Sequence, residues 1–109
     1  MQMHYPAQFV RDMGCTEREL RQWLKAAFPA HALSDADSHT SISIHTEASE
    51  GLPPEQGCLR LEWTVLPPRQ IALIKIPRLQ VQFVIEGLSD AARNRFMRRL
   101  DLFLQRGGG

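Results

Sequence analysis

Apolar positions along this chain recur with two different periods. Leu20, Trp23, Leu24, Ala27 and Phe28 fall at i, i+3, i+4, i+7 and i+8, the spacing that lines one face of an α-helix. Thr16 and Glu19 stand just before them as an S/T-x-x-E pair, whose hydroxyl and carboxylate satisfy N–H groups of the first turn. Pro29 disfavours helical geometry at the residue before it, so this helix is predicted to stop at Phe28. A second helical stripe near the C-terminus comprises Ala92, Phe96, Met97, Leu100, Phe103 and Leu104, with Ser89 or Asp90 placed to cap it.

Between the helices the period shortens to two. Ile42 and Ile44 alternate with Ser41, Ser43 and His45, which predicts a strand over 40–46. Leu59, Leu61, Trp63 and Val65 alternate with Arg60, Glu62 and Thr64, predicting a half-buried strand that ends at a Pro67-Pro68 turn. Ile71 to Ile76 is almost continuously apolar, as expected of a strand covered on both faces, and Pro77-Arg78 breaks it. Leu79, Val81, Phe83 and Ile85 alternate with Gln80 and Gln82 and predict a fourth strand. Short connections imply antiparallel neighbours. The segments 29–39 and 46–57 carry Pro, Gly, Ser and Asp and read as loops. Residues 1–14 read as an arm or short helical turn, because Pro6 interrupts any long helix there.

The expected architecture is a single α+β domain over 1–109. It is a two-layer αββββα arrangement, a four-stranded antiparallel sheet with the N- and C-terminal helices on one face. Gly107 to Gly109 form a flexible tail. An apolar share of 43% and a charged share of 23% are those of an ordinary folded protein. No apolar run approaches the roughly 20 residues that span a bilayer, and the first residues lack the pattern of a secretory signal. A cytoplasmic location without membrane contact is the expectation.

Charge changes this picture. Residues 1–59 hold four bases and eight acids, whereas residues 60–109 hold nine bases and four acids. Much of the positive half lies on the last helix, where Arg95, Arg98, Arg99 and Arg106 share the side opposite its apolar stripe, with Leu102 among them. Guanidinium groups ringing an apolar residue suit a carboxylate-bearing protein surface. No aromatic residue interleaves with them to stack bases, so nucleic acid is not the expected partner. Ile71 and Leu73 supply a second candidate. If the helices cover one sheet face, these two residues point to the other and offer an apolar patch, which also suits a homodimer.

Other chemistry finds little support. His4, His31, His39 and His45 have no helical i, i+4 spacing, and His39 and His45 on one strand would stand about 20 Å apart, too far to share an ion. Cys15 and Cys58 match no redox or metal pair, although Cys15 precedes a helix N-terminus, where a thiol's pKa can fall. There is no G-x-S-x-G elbow and no G-x-G-x-x-G loop, so no catalytic, metal or cofactor residue is expected. The favoured reading is a non-enzymatic accessory domain that meets an acidic protein partner through the arginine face or the open sheet face. The alternative is a small-ligand binder or minor enzyme, with Trp23, Trp63, Phe83, Phe96 and Phe103 lining an apolar pocket. The terminal Gln-Arg-Gly-Gly-Gly resembles the diglycine tails of ubiquitin-like modifiers and bacterial sulfur carriers. That resemblance, confined to Arg106–Gly109, implies activation of the C-terminal carboxylate by adenylation. In those proteins a strand leads into the tail; here a predicted helix does.

Overall fold

Thr16 caps the first helix as its sequence requires. Its hydroxyl accepts from the Glu19 N–H at 3.1 Å, and the Glu19 carboxylate accepts from the Thr16 N–H at 3.0 Å. In the computed structural model, which describes residues 5–48, 51 and 53–106, helix α1 spans Glu17–Ala27 and helix α2 spans Asp90–Arg106. Ser89 caps α2 by accepting from the Ala92 N–H at 3.2 Å. Glu55 accepts in turn from the Ser89 N–H and hydroxyl, and these bonds hold its carboxyl below the usual range.

The described residues contain five strands, not four: β1 Gln8–Met13, β2 Leu33–Ala36, β3 His39–Thr46, β4 Glu55–Ile71 and β5 Ile74–Glu86. They form one antiparallel sheet in the order β1-β5-β4-β3-β2. The predicted α+β class holds, but the strands are cut differently. The arm becomes edge strand β1, and part of the 29–39 loop becomes edge strand β2 after a single 3-10 turn at Ala30–Ala32. The three strands predicted between Leu59 and Ile85 are one long hairpin. Pro67 and Pro68 do not turn the chain; they sit where the β4–β5 register slips between Leu66 and Arg69, a bulge that absorbs an extra residue. Pro77 is likewise carried inside β5. The chain reverses at Ala72–Leu73, inside the segment predicted as a doubly covered strand.

The core lies on one face of the sheet. Leu59, Leu61 and Trp63 of β4, Leu79, Val81, Phe83 and Ile85 of β5, and Ile42 and Ile44 of β3 pack with Leu20 and Leu24 of α1 and Met97, Leu100 and Leu104 of α2. Burying such side chains contributes about 1.5–3 kcal/mol each. Two polar clasps complete the layer. Arg21 of α1 donates to the Ala36 and Asp37 carbonyls at 2.7 and 2.8 Å and lies 4.8 Å from the Trp63 ring centroid. The Trp63 indole donates to Glu17 at 2.7 Å. On the β1 side, Arg11 sits over the stacked Phe9 and Phe83 rings and forks onto Asp101 of α2 at 2.6 and 3.2 Å. Tyr5 donates its hydroxyl to the same carboxylate.

Close backbone approach fixes the joint between β5 and α2. Gly87 has φ +85°, and a Cβ there would fall 2.8 Å from the Gln56 carbonyl oxygen. At Gly57 a Cβ would meet the Glu86 carbonyl oxygen at 2.6 Å, so glycine lets the two chains cross.

Candidate interaction surface

The β4–β5 hairpin outgrows the sheet that supports it. Strand β3 pairs with β4 no further than Glu62, and β1 pairs with β5 no further than Leu79. Beyond the Trp63 N–H, which donates to the Ser38 carbonyl, β4 pairs only with β5, and from Leu66 to Arg78 the two strands pair only with each other, as a two-stranded arm. At about 3.3 Å per residue a 17-residue strand spans about 55 Å, which accounts for the 53 Å long axis of a molecule only 34 and 22 Å across.

The arm carries the residues that exposure should have excluded. Leu73 is 98% exposed, Ile74 64% and Ile71 53%, and Val65 is also exposed near the root. The sequence placed Ile71 and Leu73 on the open sheet face; the structure moves both to the arm's end. A nearly continuous apolar run had suggested a strand covered on both faces, yet among the described residues no element reaches this far to cover it. Ala72 takes the left-handed conformation, φ 54°, that a two-residue hairpin loop demands. The Gln70 side chain donates to its carbonyl at 3.4 Å. Alanine in that position leaves the loop fewer alternatives than glycine would.

Electrostatics single out the same segment. From Thr64 to Arg78 the chain has three bases, Arg69, Lys75 and Arg78, and no acid. Arg78 pairs with Asp12 at 3.1 Å. Arg69 and Lys75 are exposed and form no ion pair among the described residues. Part of the excess positive charge of the second half therefore sits on the arm, and inspection of the last helix alone misses it.

The true open face of the sheet is polar. Gln80 and Gln82 of β5, Glu62 and Thr64 of β4 and His39 of β3 share it, with Val10 of β1 exposed at its edge. A hollow of about 460 Å³ lies over these residues, and a second of about 490 Å³ lies on the outer side of α1. Neither lies between sheet and helices. The aromatics proposed to line such a pocket are instead packed: Trp63 and Phe83 are core residues, and Trp23, Phe96 and Phe103 press against it.

On α2, Arg95, Arg98 and Arg99 are exposed and Leu102 is 52% exposed, as the helical wheel requires. Arg93 turns inward, donating to the Tyr5 carbonyl and to Asp90, both at 2.7 Å. Arg106 ends the helix, and the diglycine-like tail, Gly107 to Gly109, lies outside the described residues, as does His4. Among the described residues no three His, Cys, Asp or Glu groups could hold a metal ion, and no helix is long and apolar enough to cross a membrane. Both cysteines are free. Cys15 is buried, and burial, helped by Glu19, pushes its thiol up to about 11, opposite to the effect expected of the nearby helix N-terminus.

Comparison with protein-family models, curated proteins and solved structures finds no match for this chain.

Proposed function

We propose that the chain is a single non-enzymatic docking module whose contact point is the tip of the β4–β5 arm. The observation that carries this reading is Leu73, 98% exposed at the end of a segment containing no acid. Large aliphatic side chains held in water forgo about 1.5–3 kcal/mol each, and nothing among the described residues shelters them. A partner that does shelter them recovers that free energy on contact. Arg69 and Lys75 select a partner of negative charge, and Arg98, Arg99 and Leu102 on α2 offer a second surface of the same preference. Two free cysteines suit work in a reducing cytoplasm.

A photoreactive amino acid at position 73, used in cells, tests this directly. The expected outcome is one dominant adduct, lost when Arg69 and Lys75 are both changed to glutamate. Labelling at position 73 no stronger than at Gln22, an exposed position on α1, would remove the arm from consideration.

A further inference from the structure

Resting on that reading of the arm, we propose that its occupant is an anionic lipid surface, met end-on by Ile71, Leu73 and Ile74. The shape of the tip points there first. Its apolar side chains are exposed at the very end of the hairpin, and neither hollow described above includes them. A protein partner would have to bring a shaped cavity, whereas an acyl layer accepts any apolar protrusion of modest depth. The ladder positions fit that depth. Ile71 pairs with Ile74 on the last rung, Gln70 with Lys75 one rung behind, and Arg69 with Ile76 behind that. At about 3.3 Å per residue the two cations follow the apolar end by roughly 3–7 Å, matching side chains that enter about 5–10 Å at the headgroup boundary. Lys75 and Arg69 then lie among the phosphates.

The other occupants fit less well. Strand addition along the arm would use its outer edges, but Pro67 and Pro68 interrupt β4 beside the bulge and Pro77 interrupts β5, removing N–H donors on both sides. A second copy meeting tip to tip would bring Arg69 and Lys75 against their own kind. It would also bury only a few side chains, short of the roughly 800 Å² per partner of a stable dimer. Charge decides the choice of lipid: Arg69 and Lys75, exposed and with no ion pair among the described residues, favour an anionic leaflet over a neutral one.

Purified full-length chain should float with phosphatidylcholine vesicles containing about one-third phosphatidylglycerol and should bind pure phosphatidylcholine at least about tenfold less. Raising salt should weaken the binding. Leu73→Asp, and separately the pair Arg69→Glu and Lys75→Glu, should each reduce flotation about tenfold or more, with unchanged thermal unfolding. In a second assay, Leu73→Trp should gain fluorescence that brominated acyl chains quench, while the native Trp23 and Trp63 stay unquenched. Binding that ignores lipid charge, or that survives Leu73→Asp, would overturn the proposal. Absence of vesicle binding together with a protein adduct at position 73 in cells would overturn the lipid assignment and leave the docking reading standing. Absence of both would end the two together.

Discussion

One hairpin lives in two environments, and the contrast between its halves explains most of this molecule. From Leu59 to Trp63 and from Leu79 to Ile85, alternate residues of β4 and β5 are almost fully buried beneath two helices. Farther out, the same hairpin carries side chains just as apolar, Ile71 and Ile74 on its strands and Leu73 in its turn, and leaves them in water. Composition does not separate the halves; what lies across from them does. The helices are 11 and 17 residues long, about 17 and 26 Å, and the hairpin is about twice the length of the longer one. The inner half is apolar for the sake of the fold. The outer half has no such reason, and its exposed apolar side chains are what the proposed docking surface is built on.

Truncating a side chain in each half breaks or secures this comparison, and the effects should differ most here. Phe83→Ala removes a buried ring stacked on Phe9, with centroids 4.7 Å apart, and should cost about 3–5 kcal/mol in urea unfolding. Leu73→Ala should change stability by no more than about 0.5 kcal/mol. Similar losses at both sites would mean that the arm folds back and contributes to the core.

The helices were legible in the sequence because their signals are local. Thr16 and Glu19 stand three residues apart, and the exposure of Arg98, Arg99 and Leu102 follows from a wheel. The edge strands were not legible, because their alternation is disguised by inward-facing charge. In β1 the inward positions are Phe9, Arg11 and Met13, and an arginine there makes sense only beside Asp101, 90 residues later in the chain. In β2 the inward Asp35 accepts from the buried Thr40 hydroxyl at 2.7 Å and pairs with Arg21 at 3.4 Å. Prolines misled the rest. Pro67-Pro68 is a turn signal in isolation, but a bulge in a two-stranded ladder accommodates the pair. The arm was invisible for the same reason: a continuous apolar run reports that a segment is meant to be covered, without saying by what.

The Arg11–Asp101 clasp sharpens the comparison from the body's side. Both groups are partly exposed, at 33% and 14% of their side chains, so their pairing should contribute less than a fully buried pair and more than a surface one. Asp101→Ala leaves the guanidinium over the Phe9 and Phe83 rings without its carboxylate and should cost about 1–3 kcal/mol. Arg11→Met in the same chain should restore part of that loss, because a methionine can cover the rings without needing a carboxylate. Vesicle binding through the arm should be the same in all of these variants. If it fell along with stability, body and arm would not be the separate units that their environments imply.

The last effect expected is one of pH, absent below about pH 10, and it isolates the clasp with a single chromophore, since Tyr5 is the chain's one tyrosine. Burial first, and then the hydrogen bond to Asp101 with its charge, push the Tyr5 hydroxyl up to about 12 from an ordinary value of 10. The folded state therefore keeps a proton that the unfolded chain releases near pH 10. The stability this group contributes is complete below about pH 10 and is lost as pH rises toward about 12. Unfolding midpoints of the wild type minus those of Tyr5→Phe should show that decline, and tyrosinate absorbance should follow it in the folded protein. Asp101→Asn removes the charge and leaves the burial, so the midpoint should move down but stay above 10. A fall all the way to 10 would mean that the aspartate, rather than the layer of β1 and α2 around Tyr5, was responsible for the shift.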